Sequence, residues 1–248
     1  YYPSLTQRGG QYAVTWSIFS DQGNRDIALR RVTAEGQPVP RRDPVISTRK
    51  GYSPQVRPTA DGFRVLYNAY RQLQRIELDD LGTVQGAQQA VGVAHGDTRE
   101  QTFLAWLDGP GGLVAYAVNT EDFNNPRFFV QPLTEATAAD GARIDLGPAM
   151  VSSGHPNAFL FRLGDDRFGV FWRKRLDDAT RTEGLMYAVI SRRGVVERQV
   201  EVNALDRPEV YKPEIRPNSI VFDGERFAIY HERWFEDLEP SHDVIQWM

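Results

Sequence analysis

Apolar and polar residues alternate with a period of two along most of this chain, in short runs broken by Gly, Asp and Asn. Tyr12–Trp16, Phe63–Tyr67, Leu73–Leu78, Phe168–Trp172 and Phe227–His231 all show the alternation. It is the mark of a strand with one buried face. No segment carries a helical period with caps. The Ala-rich stretch 133–142 offers at most one helical turn.

The runs belong to a larger unit, clearest at 52–82. It has a lead-in ending in Pro54, an extended run, an Asp61-Gly62 turn, an alternating strand, a loop, a second alternating strand and a closing Gly82. The second strands of such units open at Tyr12, Phe63, Phe168 and Phe227, separated by 51, 105 and 59 residues. The middle gap is two periods of about 52, and a weaker copy fills it: 102–106, 113–118, 127–133 and 144–146. Repeats of roughly 40–50 residues with four short strands each predict an all-β fold, a β-propeller. Five blades are expected, near 1–48, 49–94, 95–151, 152–205 and 206–248, forming one domain with the last blade incomplete. A sandwich or two small β domains would also show evenly spaced strands. They would not require a Pro before the first strand and an aromatic opening the second strand in register.

The segments KPEIRPNSIVFDGERFAIYH and DIALRRVTAEGQPV resemble the propeller repeats of exported bacterial proteins of the myxobacterial type. Copies one, two, four and five carry most of the pattern and the third departs from it. The resemblance implies the fold and export; the motif is structural and implies no reaction. The Trp ending the second strand stands at Trp16 and Trp172 and is replaced by Tyr67 and His231.

Composition narrows the partners. A 41% hydrophobic and 25% charged chain of 248 residues can build a sizeable core. A net charge of −4 with scattered arginines argues against nucleic acid. The absence of cysteine excludes disulfides, thiolate zinc sites and a cysteine nucleophile. No run of 18 apolar residues crosses a membrane as a helix. A first residue Tyr1 rather than Met suggests a removed export signal or a fragment, so periplasmic, outer-membrane-associated or extracellular placement is expected.

The aromatic positions of the second strands, Tyr12, Trp16, Phe63, Phe168, Trp172 and Phe227, read as packing between blades. The Asp-Gly pairs read as tight hairpins, since they lack the dense spacing of calcium ligands. Long polar loops gather with the lead-ins on one face, opposite the tight Gly turns, and mark that face as functional. Tyr52, His155 and Tyr211 recur at its lead-ins. His231, Arg233 and Trp234 cluster near the longest loop. These six are the candidate binding residues, suited to a sugar or a peptide side chain.

No metalloprotease, nucleophile-elbow, phosphate-loop or dinucleotide motif is present, and the four histidines are too spread to suggest a metal. No cofactor is expected. For the chemistry of a five-bladed glycosidase, Asp97, Glu100 and Glu214 are the carboxylates available. That provision is thin. The expectation is therefore a non-enzymatic binding or scaffold propeller contacting a protein partner, a larger assembly or a glycan. A lectin or a five-bladed glycoside hydrolase is the alternative. A missing outer strand in the last blade would be supplied by further chain or by a partner.

Overall fold

The computed structural model describes residues 3–19, 25–39, 45–47, 51–69, 72–91, 101–107, 111–118, 126–134, 142–150, 158–175, 183–202, 216–233 and 242–247. Among these the protein is all-β, and its strands form five antiparallel sheets in chain order. The first holds β1 (Ser4–Arg8), β2 (Gln11–Phe19), β3 (Arg25–Thr33) and β4 (Val45–Ser47). The second holds β5 (Gly51–Pro58), β6 (Gly62–Ala69), β7 (Gln72–Asp79) and β8 (Val84–Ala90). The third holds β9 (Gln101–Leu107), β10 (Gly112–Val118), β11 (Arg127–Leu133) and β12 (Ile144–Pro148). The fourth holds β13 (Ala158–Arg162), β14 (Arg167–Arg175), β15 (Glu183–Ser191) and β16 (Val196–Val202). The last has three described strands: β17 (Arg216–Phe222), β18 (Phe227–Arg233) and β19 (His242–Trp247), with β19 at the edge.

Each sheet packs face to face on the next, because its middle strands are apolar on both sides. Ala13, Ile27 and Leu29 meet Phe63, Val65 and Tyr67 between the first and second sheets. Leu66 and Leu73 meet Trp106, Val114 and Tyr116 between the second and third. Leu113, Ala115 and Phe128 meet Phe168, Val170 and Trp172 between the third and fourth. Phe171, Leu185 and Tyr187 meet Phe227 and Ile229 between the fourth and last. Phe63, Phe168 and Phe227 thus all face the preceding sheet, at equivalent places. Tyr12 and Trp16 differ, being only half-buried. They alternate with Ala13, which faces the second sheet, so they lie on the opposite face of the first sheet. First strands also approach one another: β5 lies against β1, β9 against β5, and β13 against β9.

Polar latches fasten the outer strands. Tyr67 OH and Ser47 Oγ lie 3.1 Å apart, and Gln88 Nε2 donates to Ser47 Oγ at 2.7 Å and also contacts Tyr67 OH. Between the third and fourth sheets Trp172 Nε1 donates to the Pro148 carbonyl at 3.2 Å, and Gln199 Nε2 to that of Leu146 at 3.2 Å. The aromatic closing a second strand thereby reaches the outermost strand of the sheet before it.

In the first sheet the described part of the fourth strand is Val45–Ser47, and a bridge pairs Val32 with Pro38. In the last sheet the described first strand is Arg216–Phe222, and the tight turn at Asp223-Gly224 pairs Phe222 directly with Phe227; the stretch Tyr211–Ile215 lies outside the described residues.

That turn makes a pH prediction. Asp223 Oδ1 accepts from the amides of Arg226 at 2.7 Å and Glu225 at 2.9 Å. Donation from the Arg226 amide first, then from Glu225, holds its carboxyl below the ordinary range. Folding therefore favours the ionised form. The stabilisation is present above the unfolded-state pKa and lost as pH falls through the lowered folded-state value. Asp223→Asn should lower the melting temperature at neutral pH and converge with the parent in strong acid. Thermal melts across pH check this.

Candidate functional site

The sheets have two unlike ends. One carries tight turns, such as Gly9-Gly10 with φ of 56° and 77°, where L side chains are disfavoured and hairpins close in two residues. The other carries the starts of the first strands, the ends of the second strands and the longer connections. Function gathers on such loops when a rigid scaffold presents them.

At this loop-bearing end the second strands change character. Ser17, Asn68 and Arg173 directly follow Trp16, Tyr67 and Trp172, so they occupy one register position in three sheets. All three are buried: Ser17 at 6%, Asn68 at 1% and Arg173 at 1% exposure. The sequence continues the series with Asn119 after Val118 and Glu232 after His231. Inward positions deeper in these strands are mostly apolar, as Phe171, Leu66 and Ala13 show. Burying a guanidinium is costly unless it is held, so Arg173 is a built feature. Its backbone carbonyl also accepts from the Met150 amide at 2.8 Å, which ties the third sheet's exit to the fourth.

Ser4 Oγ accepts from the Val56 amide at 3.1 Å, joining two neighbouring first strands. Gly51 opens β5 against Ile27 and Tyr67; a Cβ there would lie 2.5 Å from Ile27 Cγ1 and 2.7 Å from Tyr67 Cδ2. Two residues on, Ser53 takes a φ of 52°, and the pairing of β5 with β6 slips between Tyr52 and Gln55. A non-glycine residue at positive φ is a strained position that surrounding structure must hold.

Of the six candidate binding residues, Tyr52 is paired with Asn68 at the start of β5. His231 pairs with Val244 and Arg233 with His242 at the end of β18. All three backbones stand at the loop-bearing end. His155, Tyr211 and Trp234 lie outside the described residues, as do Asp97, Glu100 and Glu214. Among the described residues no cluster of His, Asp and Glu has the makings of a metal site. No described helix is long and apolar enough to cross a membrane. Sequence reasoning missed the polar layer of Ser17, Asn68 and Arg173. Its one trace in the sequence is a polar residue directly after Trp16, Tyr67 and Trp172, which by itself does not distinguish a buried position from the start of a loop.

The sequence matches no protein family and no curated protein. Solved structures do match. An endo-arabinase from Bacteroides thetaiotaomicron aligns over 98% of this chain and 92% of its own, with a TM-score of 0.56 and 13% identity. The catalytic domain of an α-L-arabinofuranosidase from Coprinopsis cinerea aligns over 99% and 87%, with a TM-score of 0.55 and 8% identity. A puromycin hydrolase aligns over 98% of this chain but 39% of its own, with a TM-score of 0.57 and 14% identity. The fold is a β-propeller.

These likenesses correct the expectation of a non-enzymatic binding or scaffold propeller. Chains that share the fold nearly end to end include an endo-arabinase and an α-L-arabinofuranosidase, which are enzymes and not scaffolds.

Proposed function

We propose that this chain is an exported, five-bladed glycoside hydrolase that cleaves an arabinose-containing glycan at its loop-bearing end. The observation that carries the reading is the near-complete alignment with arabinan- and arabinofuranoside-cleaving enzymes. The polar layer at the same end supports it. Glycoside hydrolysis needs one carboxylic acid to protonate the leaving oxygen and one carboxylate to attack the sugar or to activate water. Asp97, Glu100, Glu214 and Glu232 are the carboxylates that the chain order brings toward this end. Glu232 continues the register position of Ser17, Asn68 and Arg173 on β18, and is the first choice of the four. A polymeric glycan lies outside the cell, which fits the resemblance to exported repeat proteins.

The test is direct. The purified chain is incubated with debranched arabinan, arabino-oligosaccharides and nitrophenyl α-L-arabinofuranoside, and new reducing ends are counted. The expected result is hydrolysis of at least one substrate. Binding without turnover, or neither, contradicts the reading.

A further inference from the structure

The described seams between sheets are built alike. Second-strand residues of one parity face the preceding sheet, as Val65, Tyr116, Val170 and Ile229 do. Those of the other parity face the following sheet, as Ala13, Leu66, Ala115 and Phe171 do. Among the described residues this leaves two faces over, one at each end of the row. On the first sheet it is the preceding-sheet side, with half-buried Val14 and Trp16; on the last it is the following-sheet side, with half-buried Ala228 and Tyr230. Both sides carry exposed apolar residues. Leu5, beside Val14 in the ladder, is 58% exposed, and Val221, beside Ala228, is 59% exposed. The residues standing at the place of Leu5 in the second and last sheets, Val56 and Ile220, are 0% and 6% exposed, each in the core against the sheet before it. Trp16 likewise stands where Tyr67 and Trp172 do, and the polar atoms of those two reach the outermost strand of the sheet before.

The geometry points to a fifth seam, in which the Leu5, Val14 and Trp16 face of the first sheet is covered by the Val221, Ala228 and Tyr230 face of the last sheet of the same chain. Covering such surface is favourable, and exposed apolar patches mark contact sites. One leftover face is of each kind, so the two match as the faces of the described seams do. A two-fold dimer would instead set like against like, and copies joined head to tail would form an open-ended chain. The row of sheets favours closure on itself. First strands lie against one another, β1 by β5, β5 by β9 and β9 by β13, whereas fourth strands meet across the gap through side chains, as Gln88 with Ser47 and Gln199 with the Leu146 carbonyl. Sheets that are close at the inner edge and spread at the outer are wedges, and a row of wedges bends back toward its start. The inference stands apart from the hydrolase reading, because no sugar enters it or its test.

The experiment is thiol protection in a chain that has no cysteine of its own. Leu5→Cys, Val221→Cys and, as an exposed control, Val195→Cys in the β15–β16 turn are labelled with a maleimide under native conditions. Val195 is 59% exposed, so the three start level in the separate sheets. Closure predicts that Leu5→Cys and Val221→Cys react at least about 10-fold more slowly than the control, at every protein concentration and in a monomer by size exclusion. Adding Ala228→Asp, which puts a charge on the opposite face, should return Leu5→Cys to the control rate with circular dichroism unchanged. Labelling at the control rate without that charge overturns the seam. Protection that fades on dilution overturns it too, in favour of contact between copies. Protection of Leu5→Cys that survives Ala228→Asp means that something other than the last sheet covers the face, and also overturns it.

Discussion

Trp172→Ala should cost about 3–5 kcal/mol of stability, the range for emptying a buried aromatic site. Trp172 is 1% exposed and lies between the third and fourth sheets. Its ring stacks on Phe128 with centroids 5.1 Å apart and planes 4° from parallel. Its Nε1–H donates to the Pro148 carbonyl, an acceptor on the outermost strand of the preceding sheet. Truncation removes the stack, opens a cavity between two sheets and leaves that carbonyl without its donor. In a chain of this size each kcal/mol moves the melting temperature by roughly 2–4 °C. A Trp172→Phe variant keeps most of the apolar area and loses the donor, so about 1–2 kcal/mol is expected. Denaturant unfolding of the three proteins gives both numbers. A loss below about 1 kcal/mol for Trp172→Ala means that the sheets are not joined through this contact.

The second large effect concerns turnover. Replacing the essential general acid by its amide keeps shape and removes the proton, a change that typically lowers kcat by about 10²–10⁴-fold. Among Glu232→Gln, Glu214→Gln, Glu100→Gln and Asp97→Asn, two variants should show losses of that order with folding intact, and Glu232→Gln should be one of them. Steady-state kinetics on the best arabinan substrate, with circular dichroism of each variant, checks it. Four variants with near-parental kcat would remove the acid–base assignment, whatever the fold.

Much of the fold was legible because one face of each second strand repeats. Phe63, Phe168 and Phe227 announce equivalent positions in the sequence, and the structure puts all three against the preceding sheet. The third copy looked weak for a physical reason. Every residue of β10, Gly112–Val118, is buried, so both faces are apolar and the alternation that identifies a half-exposed strand disappears. Tyr12 and Trp16 are half-buried, and the described neighbour of their sheet lies on the Ala13 side. At the end of the chain the Asp223-Gly224 turn and the strand opening at Phe227 stand where the sequence pattern puts them, and the lead-in Tyr211–Ile215 lies outside the described residues.

The site was less legible than the scaffold. A polar residue after a strand's closing aromatic reads as the start of a loop, so Ser17, Asn68 and Arg173 gave no sign of being buried. Only the partner sheet, absent from any local pattern, makes them interior. Candidate residues taken from loop composition alone, such as His155 and Trp234, fall outside the described residues.

The central claim is that the loop-bearing end, where the second strands finish in buried polar residues, is where a glycan is bound and cut. A crystal structure of Glu232→Gln soaked with an arabino-oligosaccharide tests it most directly. The account predicts the sugar at that end, bordered by the starts of β5 and β9. A sugar seated on the tight-turn end or on an outer sheet edge would contradict it.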